Sequence, residues 1–326
     1  METVELEEML LMPETDRSEE FEQLVDMVGR LDEMLLERLV AHRGFHAVGD
    51  RLQRPLENTV KAYREAAQAG VRLAECDITL TADGYLVLCH DSTTERLAKD
   101  PLLDSARLQV SDLTWAEAQA IGLLDGSYLA LLQDVLDQAR SYGSKIVVEI
   151  KSGADNVAQA LVQMIHERPE NLAAISVVMS FDADIITAFS QHMRSAAHDL
   201  GLAPEDMPSM LLLLRNPRNL EDQDDDVIEQ ELDFSRPEDA LAIMMGHLER
   251  AKGLEGPLEG LYIQLHESMI VDPEVRKVIE EFASRHVLGI WTSSSQQSLD
   301  CVATCEQLIE LGVRFINTDF PSSFVL

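Results

Sequence analysis

The sequence predicts an α/β fold, a (β/α)8 TIM barrel with an N-terminal helical extension and a long insertion after the second strand. Three observations predict it. Eight short apolar runs of strand length alternate with helix-patterned stretches from about residue 38 onward. Ionisable residues fall within or just after several of those runs, and the mouth of a barrel lies at the C-terminal ends of its strands. The chain has 326 residues, 46% of them hydrophobic, enough for one large barrel and its core.

Phe21, Leu24, Val25, Val28, Leu31 and Leu35 recur at helical spacing and predict one amphipathic helix over 18–37. That helix belongs to an acidic extension, residues 1–37, ahead of a barrel domain at 38–326. The strand runs are Leu39–Ala41, Val71–Leu80, Lys145–Ile150, Ile175–Ser180, Met210–Leu214, Leu261–Leu265, His286–Trp291 and Arg314–Asn317. Asn58-Thr59 caps a helix that runs to Gly70, and Asp155 opens another through His166. Asp272-Pro273 starts a third through Ser284, and Gln297 to Leu311 forms a fourth closed by Gly312. Residues 91–143 make the long insertion, and the acidic stretch 221–238 reads as a solvated loop.

The formal net charge of −33 works against nucleic acid and anionic membrane faces as partners. Cys76, Cys89, Cys301 and Cys305 lack zinc-type spacing and read as buried reduced thiols, with a Cys76–Cys89 bridge as the alternative. The acidic N-terminus shows no signal peptide, and no apolar run approaches the ~18 residues of a transmembrane segment. A soluble, cytoplasmic protein of undetermined oligomeric state is the resulting expectation.

Three segments concentrate charge: His42-Arg43-Gly44 after the first strand, Glu75-Cys76-Asp77 within the second, and Glu149-Ile150-Lys151 ending the third. Side chains two apart on a strand share a face, so Glu75 joins Asp77 and Glu149 joins Lys151. Such groups are costly to bury unless they bind a metal or each other. Thr81-Ala82-Asp83-Gly84 reads as a hairpin turn tipped by Asp83-Gly84, a register in which Asp77 faces His90. The hypothesis is a metal site of Glu75, Asp77 and Glu149. Three carboxylates and no thiolates favour Mg²⁺ or Ca²⁺ over Zn²⁺. Arg43 and Lys151 would hold phosphate oxygens, while His42 and His90 supply a proton acceptor and a proton donor.

In order, His42-Arg43-Gly44, Leu56-Glu57-Asn58-Thr59, Glu75-Cys76-Asp77, Thr81-Ala82-Asp83-Gly84, His90-Asp91 and Glu149-Ile150-Lys151 resemble the glycerophosphodiester phosphodiesterase signature. Gly289-Ile290-Trp291-Thr292, Gly312-Val313 and Asn317-Thr318-Asp319-Phe320-Pro321 resemble that family's last two strands, and the likeness covers about residues 38–324. The resemblance implies catalytic roles for His42 and His90, metal ligation by Glu75, Asp77 and Glu149, and phosphate binding by Arg43 and Lys151. It implies hydrolysis of a small-molecule glycerophosphodiester to glycerol 3-phosphate and an alcohol. The glycerol 2-hydroxyl is the candidate first nucleophile, giving a cyclic phosphate that water opens.

Departures from the pattern bear on substrate choice. Phe45 to Arg54 lengthen the loop before the Pro55-Leu56-Glu57-Asn58-Thr59 segment, and Ser92-Thr93-Thr94-Glu95-Arg96-Leu97 replaces a leucine-rich stretch. Glu57 is expected to start a helix or support the site from behind. Asp91 is placed to orient His90 or to lie in a surface loop, Asp319 to support the barrel mouth, and Trp291 to pack the barrel near the substrate. His46, His166, His192, His198, His247, His266 and His286 read as surface or packing residues. Two alternatives stand beside the phosphodiesterase. One is a lysophospholipase D or related phospholipase, with an acyl groove sought at Phe45 and the 45–54 loop. The other is a catalytically silent barrel that binds phosphate esters.

Overall fold

A computed structural model describes residues 18–47, 53–151, 155–203, 206–215, 237–252, 258–292 and 298–320. Most of the acidic 221–238 stretch and the middle of the 45–54 loop lie outside these residues. In chain order the elements are α1 (Glu19–Val28), α2 (Glu33–Leu36), β1 (Leu39–Ala41), α3 (Val60–Gln68), β2 (Leu73–Leu80), β3 (Leu86–Leu88) and α4 (Trp115–Gln119). Then come α5 (Leu132–Tyr142), β4 (Lys145–Ile150), α6 (Asp155–Glu167), β5 (Ile175–Ser180), α7 (Ala183–Leu200), β6 (Ser209–Leu214) and α8 (Pro237–Lys252). The chain continues through β7 (Gly260–Gln264), α9 (Ser268–Val271), α10 (Pro273–Ala283), β8 (Val287–Trp291), α11 (Val302–Glu310) and β9 (Phe315–Thr318).

The strands run β1-β9-β8-β7-β6-β5-β4-β2, and β1 pairs with β2 to close the ring. All pairings in the ring are parallel, giving the closed eight-stranded (β/α)8 barrel, while β3 hangs antiparallel on the outer end of β2. Helix starts follow local chemistry. Thr59 accepts from Ala62 N to cap α3, and Asp272 accepts from Glu274 N to cap α10 with Pro273 behind it.

Strand parity sorts the side chains. Val40, Leu73, Val147 and Phe315 fill the barrel interior, in one apolar cluster with Met179, Leu213 and Tyr262. Two or four residues later on the same faces come His42, Glu75 and Asp77, Glu149 and Lys151, and Asn317 and Asp319. The interior is therefore apolar below and ionisable at the mouth. Gly289 makes this packing possible: a Cβ there would lie 2.3 Å from the Tyr262 ring. That ring stacks on Phe315 with centroids 6.4 Å apart, and its hydroxyl bonds Asn317.

Three details differ from the sequence-based expectations. The helix expected over 18–37 is two helices, because the Asp32 side chain accepts from Leu35 N at 2.9 Å and starts α2 afresh. Both still send their apolar face (Phe21, Leu24, Val28, Leu35) into the main core. The last helix starts at Val302, after a turn at Ser298–Leu299. The β2–β3 hairpin pairs Ile78 with Leu88 and Leu80 with Leu86, one residue off the expected register. Its loop has three residues, closed by Thr81 N donating to Tyr85 O at 2.9 Å, with Gly84 at φ 90° in the left-handed position such a loop requires. Asp77 thus faces Cys89, whose N–H donates to the Asp77 carbonyl at 3.1 Å. As expected, Cys76 and Cys89 are free thiols and not the alternative bridged pair. They belong to separate apolar clusters, Cys76 in the main core and Cys89 under the insertion.

Candidate active site

Glu75, Asp77 and Glu149 come together at the mouth. One carboxylate oxygen from each lies within 4.8 Å of the others, and the residues are 1%, 1% and 8% exposed. Their juxtaposition follows from register, since Asp77 on β2 pairs laterally with Glu149 on β4. Lys151 closes one side, its Nζ donating to Glu149 Oε1 at 3.0 Å and standing 3.6 Å from Asp77 Oδ1. Asn58 Nδ2 donates to Asp77 Oδ2 at 2.8 Å, and Tyr63 OH donates to Asn58 Oδ1 at 2.8 Å. Asn58 adopts φ 55°, a conformation asparagine tolerates better than most residues.

The turn after β1 carries His42, Arg43 and Gly44. A carboxylate only accepts, so the 2.8 Å contact between His42 Nδ1 and Asp319 Oδ1 requires the proton on Nδ1. Nε2 then faces the acidic cluster, 3.9 Å from Glu75 Oε2. Arg43 sits at φ 52°, which aims its N–H at Glu75 Oε2, 3.0 Å away. Its guanidinium donates from Nη1 to Glu57 at 3.0 Å and brings Nε within 3.3 Å of Asp77. Gly44 follows at φ 80°, where a Cβ would lie 2.8 Å from the Ala62 backbone. Gly44→Ala is therefore expected to lose more than about 1 kcal/mol in a urea titration. An unchanged midpoint would show that this turn is not tightly held.

His90 follows β3 and reaches the site from the insertion side. Its Nδ1 lies 2.8 Å from Asp91 Oδ1, which again fixes the proton on Nδ1. Arg96 braces this arrangement by donating from Nε to Asp91 at 2.6 Å and through Nη1 and Nη2 to Glu57 at 2.8 and 2.7 Å. Glu57 is thus a shared acceptor between Arg43 and Arg96. The two imidazoles are held alike, each by an aspartate at Nδ1, although their strands and loops are unrelated.

Charge and burial divide the acids. For Glu75, burial and the neighbouring Asp77 charge push the pKa up, only partly opposed by His42 and Arg43. For Asp77, burial works upward but His90, Arg43, Lys151 and the Asn58 hydrogen bond together pull it down. His42 is disfavoured as a cation by burial and by Arg43, yet Asp319 and Glu75 outweigh them and its pKa is raised. Burial raises Asp319, but His42 overrides it and holds the carboxyl at about 2.

The cluster fits a divalent metal ion. Its donors are hard oxygens, and Glu75 Oε1 is buried with no hydrogen-bond partner. The ammonium of Lys151 already bonds Glu149 and approaches Asp77, so the pocket attracts positive charge. Several participants carried no decisive signal in the sequence. Arg96 and Arg54 are single residues in loops. His46, read as a packing residue, is buried here with its ring centroid 5.9 Å from that of His42. Phe45, where an acyl groove was sought, is buried beneath the Arg54 guanidinium, 4.2 Å from ring centroid to Arg54 Cζ. Trp291 packs edge-on against Phe181 at 6.0 Å, across the barrel interior. No helix among the described residues is long and apolar enough to cross a membrane.

Comparison with known proteins follows the same lines. Human glycerophosphodiester phosphodiesterase 1 is 30% identical over 156 residues, 44% of this chain and 47% of that protein. The glycerophosphodiester phosphodiesterase of Caldanaerobacter subterraneus is 29% identical over 138 residues, 40% of this chain and 52% of that protein. The chain thus spans about half the length of the curated relatives it matches. A glycerophosphodiester phosphodiesterase crystal structure from Parabacteroides distasonis superposes with a TM-score of 0.56 at 20% identity, over 88% of this chain and 94% of that one. A phosphodiesterase from Oleispira antarctica, solved in complex with the product sn-glycerol-3-phosphate, superposes with a TM-score of 0.53 at 15% identity, over 88% and 94%. The model of the glycerophosphoryl diester phosphodiesterase family matches residues 42–323, from His42 to beyond Asp319, and the chain belongs to that family.

Proposed function

We propose that this protein hydrolyses glycerophosphodiesters to glycerol 3-phosphate and an alcohol, with a divalent ion held by Glu75, Asp77 and Glu149. One observation carries the reading. Two imidazoles, each with its Nδ1 proton donated to an aspartate, flank a buried three-carboxylate cluster edged by Arg43 and Lys151. A silent binding barrel has no need of two matched imidazoles with the same tautomer.

Mg²⁺ or Ca²⁺ suits the all-oxygen donor set, and the bound ion would neutralise phosphate charge and polarise the P–O bond. Arg43 and Lys151 orient the remaining phosphoryl oxygens. In the first half-reaction one imidazole accepts the proton of the glycerol 2-hydroxyl as that oxygen bonds to phosphorus. The other donates a proton to the departing alcohol oxygen, and a cyclic phosphate remains. In the second half the roles exchange: the deprotonated imidazole takes a proton from water, and its partner returns one to the 2-oxygen as the ring opens. Both steps use Nε2, the nitrogen left to act once Nδ1 is committed to Asp319 or Asp91.

The test is a product assay with glycerophosphocholine, glycerophosphoethanolamine, glycerophosphoinositol and lysophosphatidylcholine, each with Mg²⁺ and Ca²⁺. Release of glycerol 3-phosphate from the deacylated diesters is expected. Turnover of lysophosphatidylcholine alone would transfer the protein to the phospholipase reading, and binding without turnover would leave a silent barrel. Glu149→Gln is expected to weaken ion binding at least ~10-fold by calorimetry. An unchanged affinity would remove Glu149 from the ligand set.

A further inference from the structure

We infer that Arg54 is a positioning residue for His42, and that through it helix α1 takes part in shaping the site. The inference rests on the catalytic reading of His42 given above. Arg54 closes the loop that follows His42-Arg43-Gly44, and its side chain is 1% exposed. A guanidinium cannot shed its proton, so burial this deep demands partners. Nη1 donates to the Asp319 carbonyl at 2.9 Å and to the His46 carbonyl at 3.4 Å. Nη2 donates to the Phe320 carbonyl at 2.7 Å, and Nε donates to the Glu20 carboxylate at 2.8 Å.

The consequence concerns Asp319. Its carboxylate holds the His42 ring, and is only as well placed as the backbone that carries it. That backbone turns sharply, because Phe320 adopts φ 47°. A bulky residue in this region is strained and persists only where its surroundings impose it. Arg54 holds two successive carbonyls there. Asp300 Oδ2 accepts the Asp319 N–H at 2.8 Å, and Thr318 Oγ1 accepts the Phe320 N–H at 2.9 Å. The corner is thus fixed from both sides, with Arg54 supplying the charged donor.

Glu20 supplies the opposing charge from the first turn of α1. Phe21, Leu24 and Val28 of the same helix are buried in the main core, so Glu20 is presented from an anchored element. Its carboxylate gives the buried Arg54 guanidinium a charged acceptor at Nε, beside the neutral carbonyls that take Nη1 and Nη2. The N-terminal helix therefore does more than cover the barrel: it keeps the Arg54 clamp aligned.

Full-length wild type, Arg54→Met and Glu20→Gln separate this role from plain structural support. The first measurement is the downfield proton resonance of the His42 Nδ1–H bonded to Asp319, assigned by its loss in His42→Ala. It is expected to shift or vanish in Arg54→Met, and to move the same way by less in Glu20→Gln. The second is steady-state kinetics with glycerophosphocholine and Mg²⁺. Here kcat is expected to fall about 10- to 100-fold in Arg54→Met, with KM within about twofold. Arg54→Met added to Asp319→Asn should cost little beyond Asp319→Asn alone. An unchanged resonance in Arg54→Met, or losses that multiply in the double variant, would overturn the inference. If Arg54→Met does not fold, Glu20→Gln decides, and an unmoved resonance there counts against it. A wild type that turns nothing over would defeat the proposed function and leave the resonance to decide the clamp.

Discussion

Alanine at His42 or at His90 is expected to lower kcat by about 10²- to 10⁴-fold while the barrel remains folded, the range a positioned acid or base contributes. Both rings are partly exposed at the mouth, so their removal leaves no cavity in the core. The apolar interior below them, Val40 with Leu73, Val147 and Phe315, is untouched. Thermal midpoints should stay within a few degrees of wild type. Asp319→Asn offers a sharper version. Its amide can donate to Nδ1, which would place the ring proton on Nε2 and invert the tautomer that the carboxylate enforces. A kcat loss without loss of metal affinity is the expected outcome. If His42→Ala or His90→Ala keeps most of the wild-type kcat on a glycerophosphodiester, the acid–base assignment fails for that ring.

Strand parity made much of this site legible in advance. Glu75 and Asp77 on one strand, and Glu149 and Lys151 on another, had to share faces whatever the details of packing. The eight apolar runs were equally readable, because parallel barrel strands are buried on both sides and written as near-continuous hydrophobic stretches. The hairpin register was not. Asp83-Gly84 suggested a two-residue tip, but Thr81 bonds Tyr85 and places three residues in the loop, moving every pairing by one. A turn dipeptide names the residue with positive φ without fixing which residues flank the loop. His90 reaches the site even so, because it lies beyond the last paired residue of β3 and takes its orientation from Asp91. Arg96 and Arg54 were illegible for a different reason. Each acts through contacts with segments far away in sequence, Arg96 with Glu57 and Arg54 with Asp319 and Glu20. Such pairings have no periodicity to betray them.

Glu75→Gln is expected to stabilise the metal-free protein at pH 8 and to blunt its stabilisation by metal, two effects of opposite sign from one substitution. Glu75 is buried beside Asp77, and those two conditions, burial first, carry its pKa from 4.5 up to about 8. A carboxyl whose pKa rises on folding binds its proton more tightly in the native state than in the unfolded one. Stability is then full below pH 4.5 and is lost as pH climbs toward 8. Asp319, depressed to about 2, behaves in the opposite sense, and its contribution is lost only in acid outside this window. Glutamine keeps a carbonyl oxygen for the Arg43 N–H, now taken by Glu75 Oε2 at 3.0 Å, and removes the charge. In EDTA, wild type should melt progressively lower between pH 5 and pH 8. Glu75→Gln should hold level and exceed it at pH 8 by at least ~1–2 °C, the shift of about 1 kcal/mol in a chain this long. Added ion binds only the folded state and lifts the wild-type midpoint according to its concentration over Kd. The variant, short of one carboxylate, should gain much less. Equal gains with metal would place Glu75 outside the ion's reach, and a lower midpoint for the variant in EDTA at pH 8 would mean its buried carboxylate is already satisfied without an ion.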